Sequence, residues 1–176
     1  MRAVSGYLDF VFMGSYNAGK NEINEWIRGH IAKGSECLDI GAGDGRYSDM
    51  LRDWLIMDAI EAFEPNALQI REKYRNVINA DARGLKYKRY DLVLLCDVLE
   101  HMSISDAQNV LRYAISKSKE VIVALPFQYR QDAIYGNKYE IHIQDDLTEQ
   151  LAAERYPELE LLFKPVPNYA YYRASQ

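Results

Sequence analysis

From residue 35 onward, short apolar runs rich in β-branched residues alternate with stretches whose apolar positions repeat at helical spacing. The runs Glu36–Ile40, Asp58–Phe63, Val77–Asn79, Tyr90–Cys96 and Glu120–Leu125 predict strands. Between the first two, Tyr47, Met50, Leu51, Trp54 and Leu55 fall at i, i+3, i+4, i+7 and i+8, one face of a helix. Ile104, Ala107, Leu111, Ala114 and Ile115 mark another, with Ser103 and Asp106 placed as a capping box. A helix carrying Ile23, Trp26, Ile27 and Ile31 precedes the first strand. Such alternation predicts an α/β protein with a parallel sheet and crossover helices on its faces.

The C-terminal third breaks this rhythm. Pro126 to Asp145 is a polar, aromatic stretch too long for an ordinary connection, and long loops in compact domains often carry function. Asp146-Leu147-Thr148-Glu149 reads as a helix start, and Pro157 ends that helix. Leu159–Lys164 and Tyr169–Arg173 flank Pro165-Val166-Pro167-Asn168 and predict a terminal hairpin, so the sheet's last strand runs antiparallel. No repeat, linker or low-complexity tract divides the chain, so residues 1–176 read as a single domain with a helical flap over residues 1–34.

Composition narrows the function classes. The 176 residues include 21 lysines and arginines against 26 aspartates and glutamates, a net charge of −5. That balance argues against a non-specific nucleic-acid or membrane-surface binder. Cys37 and Cys96 lie far apart in apolar runs and read as buried free thiols of a reducing compartment. No apolar run is long enough to span a membrane, and the N-terminus lacks the pattern of a signal peptide. The expectation is a soluble, cytoplasmic protein.

Candidate chemistry sits at strand ends. Cys37-Leu38-Asp39-Ile40-Gly41-Ala42-Gly43-Asp44-Gly45-Arg46 runs from an apolar strand through a glycine-rich turn into an amphipathic helix. Its Gly-x-Gly-x-Gly spacing differs from the Gly-x-Gly-x-x-Gly of dinucleotide sites. Asp39 would repel a diphosphate and suit an ammonium group. Ile60-Glu61-Ala62-Phe63-Glu64-Pro65-Asn66 places Glu64 at the end of the second predicted strand, 19 residues after Gly45. An acid there can accept both hydrogen bonds of a ribose diol, or simply favour a helix N-terminus. Asp81 ends a short strand beside the same crevice, where it can accept from an adenine amino group or sit as a solvated turn residue. The fourth strand opens onto Asp97-Val98-Leu99-Glu100-His101, the end at which open α/β sheets bind ligands.

Taken together, these residues resemble the class I S-adenosylmethionine-dependent methyltransferases. Leu38 to Gly45 resembles that family's first motif; Glu64, Asp81 and the run Asp97 to His101 resemble its second, third and fourth. The resemblance implies a Rossmann-like three-layer sandwich, a mostly parallel seven-stranded sheet with an antiparallel C-terminal strand. It implies S-adenosyl-L-methionine as cofactor and S-adenosyl-L-homocysteine as product. Asp39, Gly41, Ala42, Gly43 and Gly45 would face the methionine part. Glu64, with Pro65 beside it, would hold the ribose; Asp81 and Ala82 would flank the adenine, and Asp97 and Val98 would lie near the methyl donor.

A rival pattern, Gly14-Ser15-Tyr16-Asn17-Ala18-Gly19-Lys20-Asn21, matches a phosphate-binding P-loop except that Asn21 replaces the magnesium-binding Ser/Thr. It reads better as an N-terminal segment with Tyr16 or Asn17 near the cofactor, or as an inert helix start. The acceptor pocket is expected in the loop 126–145, with Tyr135, Tyr139, Glu140 and His142 as substrate residues. His101, four residues after Asp97, is the candidate general base, and capping the turn before Ser103 is its structural alternative. The three histidines show no ligand spacing, and Glu100-His101 meets Glu140-x-His142 only if the long loop folds over the fourth strand, so no metal is expected. The leading reading is a methyltransferase acting on oxygen or nitrogen of a small-molecule acceptor, with a protein acceptor second and no nucleic-acid or membrane partner. The alternatives are a cofactor-holding module of the same fold without turnover and, third, a P-loop phosphotransferase.

Overall fold

Two strands, β1 (Glu36–Ile40) and β4 (Tyr90–Cys96), lie at the centre of the sheet and alternate strictly between its faces. Leu38, Ile40, Val93 and Leu95 point to one hydrophobic cluster; Cys37, Leu92, Leu94 and Cys96 point to the other. Both clusters are covered, which is why these strands read as continuous apolar runs. The computed structural model describes residues 17–134 and 136–176.

The remaining elements are α1 (Lys20–His30), α2 (Arg46–Leu51), β2 (Ile56–Glu61), α3 (Glu64–Gln69), β3 (Asn76–Asn79), α4 (Ile104–Ser116), β5 (Ser118–Pro126), α5 (Glu149–Arg155), β6 (Glu160–Val166) and β7 (Tyr169–Ser175). The seven strands run in the order β3-β2-β1-β4-β5-β7-β6. All pairings from β3 to β5 are parallel, and β7 is antiparallel to both β5 and β6. Helices α1 and α2 cover one face, with Ile23, Ile27 and Leu51 fully buried. Helices α4 and α5 cover the other through Ala107, Leu111, Ala114 and Ala152. This is the expected three-layer, Rossmann-like sandwich. The strand order reverses between β1 and β4, so the connections after them diverge and leave a crevice at their carboxyl ends.

Local signals explain most element ends. Ser103 accepts from the Asp106 amide at 3.2 Å, and Thr148 accepts from the Leu151 amide at 3.1 Å, capping α4 and α5. Three expectations shift. Strand β2 spans Ile56–Glu61 and not Asp58–Phe63, because the Glu61 side chain accepts from the Phe63 amide and turns the chain. Helix α2 stops at Leu51, where the Trp54 and Leu55 amides both close on the Leu51 carbonyl. The described part of the expected flap, α1, is a packed layer of the core. Tyr16 and the apolar run before Gly14 lie outside the described residues.

At the amino end of the sheet, away from the crevice, Asp58 ties four elements together. It accepts from Arg75 Nε at 2.9 Å, Asn76 Nδ2 at 2.9 Å and the Tyr90 hydroxyl at 2.9 Å, while Arg75 also reaches Glu36 at 2.6 Å. Burial alone would raise the Asp58 pKa, but these donors outweigh it and hold the carboxyl below its usual range. Its ionised form is therefore favoured by folding, a contribution present above the unfolded-state pKa and lost as pH falls through the folded one. Arg75→Ala should cost about 1–3 kcal/mol at pH 7, discounted for the partly exposed guanidinium. In denaturant titrations the deficit should shrink below about pH 4 as the carboxyl protonates. A deficit that is the same at both pH values would mean that Arg75 acts through packing alone.

Candidate active site

The strand β1 runs into the turn Gly41–Gly45, and the turn is held by β2. Gly41 has φ +72° and its amide donates to the Ile60 carbonyl at 2.8 Å. A Cβ at position 41 would lie 2.6 Å from Cγ2 of Val98, so Val98 packs against the main chain there only because the residue is glycine. One residue beyond the next, the Gly43 amide donates to Glu61 Oε2 at 2.8 Å, while the Phe63 amide donates to Glu61 Oε1 at 2.8 Å. Burial raises the Glu61 pKa, and the amide hydrogen bonds pull against it. Each carboxylate oxygen keeps a second lone pair for a ligand.

Two more strand ends complete the floor. After β3, Asp81 accepts from the amide and Nε of Arg83, both at 2.9 Å, and that pairing lowers its pKa. After β4, Asp97 takes a left-handed φ of 59°, a strained conformation for a residue with a side chain. The Tyr169 hydroxyl of β7 donates to Asp97 Oδ1 at 2.6 Å. The chain then makes a 3-10 turn over Leu99–His101.

The long loop folds back over this turn. The Ile143 and Gln144 amides donate to the Glu100 carbonyl at 2.9 and 3.0 Å, and Gln144 Nε2 donates to Leu99 and Met102 carbonyls. His142 and His101 consequently meet with ring centroids 4.7 Å apart, and Tyr129 packs edge-on against His142. Burial, then His142, pushes the His101 pKa down to about 4, and burial also lowers that of His142. Glu140 is held by Gln131 and Asn137 side chains at 3.2 Å each.

These pieces line a cavity of about 660 Å³, within the range of small-molecule sites. Of the expected residues, Gly41, Gly43, Asp81, Ala82, Asp97 and Val98 line it, as do His101, Tyr139, Glu140 and His142. Asn17 lines it too. Tyr135 lies outside the described residues. Five expected residues are placed elsewhere. Asp39 faces the α1 side of the sheet and accepts from the buried Tyr74 hydroxyl at 2.6 Å; burial pushes its pKa up to about 7. Ala42 is packed in the core, and Gly45 serves packing, since a Cβ there would meet Lys73 at 2.7 Å. Glu64 and Pro65 form the exposed first turn of α3, away from the cavity.

Glu61, the last residue of β2, lines the cavity, and Glu64 does not. The signal for it was present: with β2 ended two residues earlier, the acid at the strand end is Glu61. Arg46 and Arg83 also line the cavity and had not been singled out. Nor does Lys20 act as a P-loop lysine: its ammonium is buried 3.8 Å over the Tyr47 ring. His101 is also a poorer base than expected, because a ring with a pKa near 4 takes up little of a hydroxyl's proton at neutral pH.

A glycine turn, the acid that ends β2 and a second acid after β3 all line one cavity. A family described as "Methyltransferase domain" matches residues 20–155. The chain belongs to this family of S-adenosylmethionine-dependent methyltransferases. No curated protein matches it in sequence. Among solved structures, a magnesium protoporphyrin IX methyltransferase from Synechocystis with bound S-adenosylhomocysteine is 13% identical, with TM-score 0.63 over 89% of this chain and 81% of that one. An S-adenosylmethionine-dependent methyltransferase from Clostridium acetobutylicum is 12% identical, with TM-score 0.68 over 88% and 89%. The N-methyltransferase NodS from Bradyrhizobium japonicum is 10% identical, with TM-score 0.59 over 89% and 96%. At these identities the likeness is one of fold.

The methyltransferase turn makes a sharp prediction. Gly41→Ala should lose about 1–3 kcal/mol of stability and at least tenfold in S-adenosylhomocysteine affinity, from positive φ and the Val98 contact together. Gly34→Ala, where φ is +84° and no atom lies within 4 Å, should show only the backbone cost with affinity unchanged. Equal effects at both positions, read by thermal melts and calorimetry, would contradict a close approach of ligand to Gly41.

Proposed function

We propose that this methyltransferase transfers a methyl group to an oxygen or nitrogen of a small molecule. The observation that carries the reading is that one cavity joins the strand-end floor to a wall built by the 126–145 loop and His101. Glu61 would hold the ribose diol through the lone pairs its two amide partners leave free. Asp81, fixed by Arg83, and Ala82 would flank the adenine. The main chain at Gly41 and Gly43, with the Arg46 guanidinium, would hold the methionine part.

When bound, the cofactor supplies a methyl group already activated by its sulfonium charge. What remains for the protein is positioning and the exclusion of water. Asp97 and Val98 would lie beside the transferring group, with the Asp97 carboxylate oriented by Tyr169. The rings of His101, His142 and Tyr129 would form the acceptor wall, where His101 positions the acceptor. The loop serves both ends: Tyr139 and Glu140 lie towards the cofactor part, since Glu140 is close enough to Glu61 for their charges to interact. A small acceptor is supported by the cavity volume and by the acidic net charge of −5.

Glu61→Ala should weaken S-adenosylhomocysteine binding by about 2–4 kcal/mol, through loss of charge-assisted hydrogen bonds. Glu64→Ala should leave it unchanged. Equal, small effects in folded variants would remove the ribose role from Glu61. Incubation with S-adenosylmethionine and a panel of hydroxyl and amine compounds should release S-adenosylhomocysteine with at least one of them. Tight cofactor binding with no release from any would point instead to a cofactor-holding module.

A further inference from the structure

Glu100 lies in the 3-10 turn with 1% of its surface exposed, and neither carboxylate oxygen has a hydrogen-bond partner. A buried carboxylate in that state is costly unless a cation or a proton compensates it. Two imidazoles stand beside it. The ligand atoms of Glu100, His101 and His142 lie within 4.8 Å of one another.

Both rings are prepared in the same way. His101 Nδ1 is 3.2 Å from the Ile141 carbonyl and His142 Nδ1 is 2.7 Å from the Tyr129 carbonyl. A carbonyl only accepts, so each ring donates from Nδ1 and keeps its lone pair on Nε2. Orientation of an imidazole by a donor bond from its other nitrogen is the usual outer shell of a metal-ligating histidine. The hydrogen bonds from Ile143, Gln144 and the Gln144 side chain fix the loop against the Glu100 turn, so the ligands are pre-placed.

We propose that Glu100, His101 and His142 bind one divalent transition-metal ion, zinc by preference, in the wall of the acceptor end of the cavity. Two imidazole nitrogens and one carboxylate oxygen are the donor set of zinc sites that keep a position open. Both histidines line the cavity, so the open position faces it. Asp97 and Glu140, which line the same cavity, add negative charge around the site. An acceptor hydroxyl bound at the open position would lose its proton to solvent more readily, while His101, its Nε2 lone pair given to the ion, would not serve as the base. That last role rests on the methyl-transfer reading; ion binding does not.

The test is calorimetric titration of chelator-treated protein with zinc alone, without cofactor or acceptor. One site per chain with micromolar or tighter affinity is expected. Glu100→Gln, which keeps the shape and removes the buried charge, and His142→Ala should each weaken it at least tenfold, while the surface variant His30→Ala leaves it unchanged. Cobalt(II) should give visible absorption bands that His142→Ala abolishes. Absence of a stoichiometric site, or zinc binding indifferent to Glu100→Gln and His142→Ala in folded protein, would overturn the proposal. Zinc binding without methyl transfer to any acceptor would sink the methyl-transfer reading and leave the site standing. Methyl transfer by protein that binds no zinc would do the reverse.

Discussion

The Glu61 carboxylate accepts from the Gly43 amide on one side and the Phe63 amide on the other, and so joins the turn after β1 to the end of β2. Both amides belong to chain that has left its strand and has no ladder partner. Without Glu61 they would need water inside a half-closed crevice. The same carboxylate ends β2, shapes the glycine turn and leaves acceptor capacity facing the cavity. The approach of Val98 to Gly41, and with it the relation of β4 to β1 at their carboxyl ends, follows once that turn is fixed.

Charge is distributed unevenly along the sheet, and the two ends do different work. At the amino end Asp58 is met by Arg75, Asn76 and Tyr90, a fully paired group that serves stability. At the carboxyl end Glu61, Asp81, Asp97 and Glu140 all line one cavity, against the guanidiniums of Arg46 and Arg83. Burial raises the pKa values of Glu61 and Glu140 there. A crevice lined this way favours a cationic ligand, as a sulfonium cofactor is.

The sequence made the layers and the order of elements legible, because alternation in β1 and β4 and the helical stripes of α1 and α4 are strong periodic signals. The terminal hairpin was legible from Pro165–Asn168, and the antiparallel β7 followed from it. What failed was local. Reading β2 two residues too far along moved the strand-end acid from Glu61 to Glu64. Asp39 adjoins the glycine turn in sequence, yet strand alternation turns it to the opposite face from Ile40, where Tyr74 receives it. The meeting of His101 with His142 depends on hydrogen bonds between the loop and the Glu100 carbonyl, a non-local pairing that no spacing rule reports.

On the proposed reading, Glu61 organises the cofactor site. A crystal structure of the protein with S-adenosylhomocysteine tests it most directly. Ribose hydroxyls are expected about 3 Å from the Glu61 carboxylate, with the Gly43 and Phe63 amides still donating to it. A ribose held by Glu64, or a ligand seated away from the Gly41–Gly43 turn, would contradict it.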